Sequence, residues 1–196
     1  VVAKELKKEI GDQSKHTKDL ELLVSQTKRC SDILRQISRK EIKDDQFINI
    51  VKVEDLLEEI ITSFKETSKI NINLNSHEDK NKINIKRAPE LVYGLRNFIG
   101  NAVKFSKKEI DIFIKSDHDL LAVTINDDGP GFAPDIIKFI GEPYLKSKER
   151  NVNSGLGLGI FLGKTLLERK KAKLKFSNSV DGAEVEIIWE INDIKA

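Results

Sequence analysis

The stretch NSGLGLGIFLGKT, residues 153–165, holds alternating glycines, a short apolar run and a Gly-Lys-Thr triplet. Different phosphate-binding loops share those ingredients, and each belongs to a different architecture. A Walker A loop needs a glycine five residues before its Gly-Lys-Ser/Thr. Counting back from Gly163 reaches Leu158, and Gly157 and Gly159 each miss by one. The intervening Ile160-Phe161-Leu162 suits a packed helical turn rather than a loop whose amides wrap phosphates. The dinucleotide pattern G-x-G-x-x-G also fails, since Ile160 and Leu162 stand where its third glycine belongs. What remains is Gly155-x-Gly157-x-Gly159 opening an apolar helix, whose free N–H groups and dipole favour an anion.

Upstream lie two further pieces. NDDGPGF, residues 126–132, ends an apolar strand. Asp127 there is placed to accept from an exocyclic amine, and Gly129 and Gly131 let a flat ring approach the backbone. Alone, such a run is an ordinary turn. Earlier still, Asn97 and Asn101 share one helix face at i, i+4 spacing, with Lys104 one turn on. An Asn carbonyl suits Mg²⁺ and a Lys suits phosphate, although such residues on a helix are usually just solvated.

The rest of the chain supplies a scaffold. VEDLLEEIITSFKE (53–66) and APELVYGLRNFIGNAVKFS (88–106) read as amphipathic helices, with Pro89 at a helix start. FINIV, ININLN and KINIK read as strands. EIDIFIKS (109–116) and LLAVTIND (120–127) form a hairpin through Asp117-His118-Asp119. DIIKFI reads as a short helix, and KLKFSN (173–178) and AEVEIIWEI (183–191) as closing strands. Strands and helices that do not alternate strictly predict an α+β fold: a two-layer α/β sandwich with a mixed sheet and helices on one face. Before it, residues 19–39 carry a heptad seam through Leu20, Leu23, Thr27, Cys30, Leu34 and Ile37, which packs against a partner helix in a hairpin or across a dimer. The expected division is a helical hairpin at 1–43 and a nucleotide-binding domain at 44–196.

Composition narrows the function. The 196 residues carry a net charge of only +2, so no strong field argues for nucleic acid. No apolar run approaches the roughly 20 residues that span a bilayer. The single cysteine excludes an internal disulfide. Without any methionine, the chain is expected to be a fragment of a longer protein.

Taken together, LRNFIGNAVKFS, NDDGPGF and SGLGLGIF resemble the N, G1 and G2 boxes of the ATP-binding catalytic domain of sensor histidine kinases. This fold is shared with gyrase-type topoisomerases, Hsp90 and MutL. GEPYLKSK sits where the F box belongs, and VVAKEL with GLGLGIFLGKTLLER is most similar to the redox-responsive RegB/PrrB type. The resemblance implies that Asn101 ligates Mg²⁺, supported by Asn97, that Lys104 meets a phosphate and that Phe105 packs on adenine. It implies that Asp127 accepts from the adenine amino group, with Gly129 and Gly131 making room. Gly155, Leu156 and Gly157 would line the phosphates, and Lys146, Lys148 and Arg150 would close on them. Asn153 departs from the family by replacing a common further glycine. It also implies a homodimer through the hairpin, a response-regulator receiver domain as partner, and a cytoplasmic location in a parent protein anchored in the inner membrane.

None of the three histidines sits in a phosphoacceptor box: His16, His77 and His118 all fall in polar turns. The chain is therefore expected to bind ATP with Mg²⁺ and not to phosphorylate itself. Cys30 reads either as a small seam residue or as a redox switch facing its own copy. Two competing classes are a non-kinase ATPase of the same superfamily and a regulator-docking module without catalysis. The heptad helix argues against the first; Asn101, Asp127 and the paired glycines argue against the second.

Overall fold

In a computed structural model of the protein, the described residues are 50–76, 83–135, 137–142 and 158–196. The expected hairpin with Cys30, together with His16, His77, Lys146, Lys148, Arg150, Asn153, Gly155, Leu156 and Gly157, lies outside them. All described residues belong to the unit Gln46–Ala196.

The strands are β1 (Ile50–Lys52), β2 (Asn71–Ser76), β3 (Asn84–Lys86), β4 (Glu109–Ser116), β5 (Leu120–Asp127), β6 (Lys173–Asn178) and β7 (Ala183–Glu190). The helices are α1 (Val53–Lys65), α2 (Pro89–Phe105), α3 (Leu158–Glu168) and the single turn α4 (Ile191–Ile194). Five strands form a mixed sheet in the order β2-β4-β5-β7-β6, with β2 parallel to β4 and the other pairs antiparallel. β1 and β3 form a separate antiparallel pair.

Period-two alternation builds the sheet. Ile110, Ile112 and Ile114, Leu121, Val123 and Ile125, and Val185, Ile187 and Trp189 are buried on one face. The opposite face is mixed, with Phe113, Ala122 and Ile188 among polar residues. There Asn73 donates to Glu109 at 2.6 Å and to Asp111 at 3.1 Å across the β2–β4 pair. The helices cover the apolar face with their own 3.6-period stripes: Val53, Leu56, Leu57, Ile60 and Ile61 on α1, and Leu91, Leu95, Phe98, Ile99 and Ala102 on α2. Pro89 occupies the first turn of α2, as expected. DIIKFI, expected to be a short helix, holds only a 3-10 turn at Ile137–Phe139. The final strand ends at Glu190 and α4 follows at once, although the Ile191 amide still donates in register to the Asp119 carbonyl at 2.7 Å, one step beyond the Leu120–Glu190 pair.

α3 runs antiparallel to α2. Lys170, in the turn just past its end, lies 3.9 Å from Glu90 at the start of α2, and glycines set their approach. A Cβ on Gly94 would sit 2.5 Å from Leu167, and one on Gly163 would sit 3.0 Å from Phe98 and 3.1 Å from Asn97. Gly163 of the Gly-Lys-Thr triplet is thus a helix-packing residue. Thr165 donates back to the Phe161 carbonyl at 2.9 Å, and Lys164 pairs with Glu168 at 3.9 Å. Leu167 is fully buried and has no room to give way. Gly94→Ala therefore overpacks the crossing by about 1–3 kcal/mol. A helix-propensity gain of about 1 kcal/mol offsets part of this, so a modest fall in Tm is expected in a melting experiment, and a rise would contradict the packing.

Candidate functional site

Alternation also explains why two adjacent aspartates behave differently. Asp127 continues the parity of Leu121, Val123 and Ile125, so it emerges on the helix-covered face, opposite Ile110 of β4. Its Oδ1 accepts the Gly129 amide at 2.9 Å and the Ala183 amide at 3.3 Å. Oδ2 accepts nothing from a described residue. Burial pushes the Asp127 carboxyl above its ordinary value; the Gly129 and Ala183 amides oppose that shift, and Asp128 adds to it. Asp128 faces the other way. Desolvation pushes it up, but backbone amides, Lys108 and Lys107 foremost, outweigh this and hold it below the usual range. Its carboxylate accepts from Lys107 at 2.6 Å and Lys108 at 2.9 Å, and so fixes the loop between α2 and β4.

The C-terminal end of α2 meets this corner. A Cβ on Gly129 would lie 2.7 Å from the Phe105 carbonyl oxygen and 2.7 Å from Asp127 Oδ1. The Lys104 ammonium sits 5.0 Å above the Phe105 ring. Asn101 lies one turn before Phe105; its side chain is half-buried and makes no hydrogen bond with a described residue. Asn97, one turn further back, donates to the Tyr93 carbonyl at 2.8 Å and borders Gly163. Because α3 is antiparallel to α2, its N-terminus points toward the Asn101–Phe105 end. Asp127, Gly129 and the Phe105 backbone therefore converge, with Lys104 beside the Phe105 ring and Asn101 and the start of α3 directed to the same end. His118 sits in the exposed β4–β5 turn, where Asp117 Oδ1 accepts the Asp119 and Leu120 amides at 2.8 Å.

Sequence reasoning missed the third wall. The β6–β7 turn closes through the Ser179 amide to the Gly182 carbonyl at 2.8 Å. Gly182 then packs on the backbone of Asp127 and Gly129, and the next residue supplies the Ala183 amide to Asp127. Asn178, at the end of β6, bonds both backbone groups of Phe132. The only signal in the sequence was a glycine in a turn, SVDGA, which any hairpin also shows.

A two-layer fold with a mixed sheet, a half-buried carboxylate at a strand end and glycines beside it defines a class of nucleotide-binding ATPase domains. Residues 86–192 match the family described as "Histidine kinase-, DNA gyrase B-, and HSP90-like ATPase", and the chain belongs to that family. The sensor histidine kinase RegB of Cereibacter sphaeroides is 34% identical over 98% of this chain, which spans 46% of that protein's length. Among solved structures, the mycobacterial sensor histidine kinase MprB matches with a TM-score of 0.63 at 16% identity, over 72% of this chain and 97% of that one. Full-length ShkA, solved in complex with AMPPNP, matches with a TM-score of 0.64 at 19% identity, over 92% of this chain and 37% of that one. The fold is that of histidine kinase catalytic domains.

Proposed function

We propose that the chain binds Mg-ATP as the catalytic domain of a sensor histidine kinase, for phosphoryl transfer to a histidine and onward to a response regulator. The single observation that carries this reading is Asp127: one oxygen accepts two amides and the other accepts nothing from the described residues, at the strand end where Gly129 meets the end of α2. An open acceptor of that kind suits the adenine amino group. Asn101, without a protein partner among the described residues, would be the protein's oxygen ligand to Mg²⁺, with Asn97 locked behind it. Magnesium would neutralise charge on the phosphates. Lys104 would add a point charge, Phe105 an apolar surface for the base, and the start of α3 its free amides, with Gly155, Leu156 and Gly157 preceding it. Lys146, Lys148 and Arg150 would close over the phosphates. The protein's contribution is positioning and electrostatic stabilisation. ShkA, solved with an ATP analogue, supports nucleotide as the ligand class.

The wider reading follows the RegB likeness. It comprises a homodimer formed through the hairpin at 1–43, a receiver domain as partner, the domain at 44–196 working in the cytoplasm within a membrane-anchored protein, and Cys30 as a redox switch. Among the described residues no helix is long and apolar enough to cross a membrane. None of the three histidines lies in a phosphoacceptor motif, so this chain alone is expected to bind nucleotide without labelling itself from γ-labelled ATP.

Melting the protein with and without Mg-ATP tests the reading. Ligand at a hundredfold excess over Kd adds about 2.7 kcal/mol of stability, which for this size raises Tm by roughly 5–10 °C. Chelating the magnesium should shrink the shift. No shift, together with no heat in calorimetry, would overturn the assignment.

A further inference from the structure

We infer that Asn178 is a positioning residue for the base end of the nucleotide site, acting through the loop that follows Asp127; the inference rests on the nucleotide reading above. Register places it there. Asn178 pairs with Ala183, which lies beside the end of β5 and donates its amide to Asp127. Asp127 and Asn178 therefore share the last row of the helix-covered face, two strands or roughly 10 Å apart.

The contact itself is a two-point clamp. Asn178 Oδ1 accepts the Phe132 amide at 2.7 Å, and Nδ2 donates to the Phe132 carbonyl at 2.9 Å. A side-chain amide here imitates a paired strand residue and gives an irregular loop a rung of sheet. Gly131 just before it has φ +75°, and a Cβ there would meet Asn178 Oδ1 at 2.9 Å. Among its described residues the loop leaves the ordinary backbone regions once, at a residue that tolerates it, and is caught immediately afterwards. The Phe132 ring stands edge-on to Phe176 at 6.0 Å, and Phe176 lies 6.0 Å from Phe98 of α2. Main chain and side chain of Phe132 are held by two different residues of β6.

The consequence is specific to the base. Gly129 packs against Asp127 Oδ1 and Gly131 against Asn178 Oδ1, so the clamp sets where the loop that follows Asp127 stands. Asn178 is itself exposed, so its removal costs the fold little. What it loses is the loop position that a bound ring requires.

Competition against a fluorescent adenine nucleotide, with AMP, ADP and Mg-ATP, tests this on the whole chain. Asn178→Ala removes two hydrogen bonds and is expected to weaken all three ligands by a similar factor, about 3- to 30-fold, with Tm nearly unchanged. Asn178→Asp keeps an acceptor for the Phe132 amide and offers no donor to its carbonyl, so it should also bind more weakly than wild type. Ser177→Ala, which removes only a contact to Glu184, should bind as wild type does. Wild-type affinity in both Asn178 variants overturns the inference, as does a loss confined to Mg-ATP, which would move the effect to the phosphates. Absence of binding by the wild-type chain would instead sink the nucleotide reading itself, a result separable from either.

Discussion

Asp127→Asn is expected to weaken ATP binding by about 100-fold or more while leaving the protein at least as stable as it was. The two halves have separate causes. Oδ1 is committed to the Gly129 and Ala183 amides, and the asparagine carbonyl would keep that task. The outward atom then becomes an NH₂ group, a donor facing the donor amine of adenine. Losing a charged acceptor costs about 1.5–3 kcal/mol, and a site built for one hydrogen-bond pattern rejects its inverse more strongly still. The same inversion suits a 6-oxo purine, so the variant should prefer ITP to ATP. Stability moves the other way. The folded pKa of Asp127 is raised above its ordinary 3.8, chiefly by burial. Its contribution to folding is therefore fully present below the unfolded pKa and is lost as pH rises through the folded one. At neutral pH the ionised group is a cost, which asparagine removes. For the wild type, the sign for binding follows: ATP affinity should fall as pH drops through the raised pKa, because the protonated acid no longer offers a bare acceptor. Calorimetry across that range, with melting curves for both proteins, checks each half. Undiminished ATP binding in the variant would remove Asp127 from the site.

How much of this was legible follows from where the information sits along the chain. β4 and β5 start and stop at the residues their alternation marks, and so does β6, because each strand is half-buried and its pattern is local. The α2 stripe and Pro89 were equally plain. Asp127 and its glycines were readable because they are contiguous. The order of strands was not: nothing local tells β1 to leave the main sheet and pair with β3. AEVEIIWEI reads as strand to its end, yet its last residue, Ile191, opens the single turn α4. The third wall of the site was missed because its contacts join residues far apart in sequence. Asn178 stands 46 residues from Phe132, and Ala183 stands 56 from Asp127, so only the completed sheet brings them together. Gly-Lys-Thr shows the converse: a local pattern that resembles a phosphate loop, whose glycine exists to let two helices touch.

Gly182→Ala is expected to damage fold and site together, which distinguishes it from Asp127→Asn. A Cβ at Gly182 would collide with the Asp127 carbonyl oxygen and lie 2.7 Å from the Gly129 nitrogen. Both atoms belong to the backbone, so no flexible side chain can swing aside. Either the β6–β7 turn lifts away or the Asp127–Gly129 segment shifts. Strain of this kind costs about 1–3 kcal/mol, a fall in Tm of roughly 2–12 °C for this size. If the turn lifts, the Ala183 amide leaves Asp127 and the carboxylate loses one of the two donors that hold it in place. If the strand end shifts, Gly129 moves against the Phe105 carbonyl and narrows the space for a base. Both routes weaken nucleotide binding, and neither inverts its specificity, so Gly182→Ala should bind ATP and ITP with the same relative preference as wild type. Melting curves combined with ATP and ITP titrations decide the matter. A variant that melts and binds like wild type would show that the turn does not brace Asp127, and a switch toward ITP would show that it reorients the carboxylate rather than displacing it.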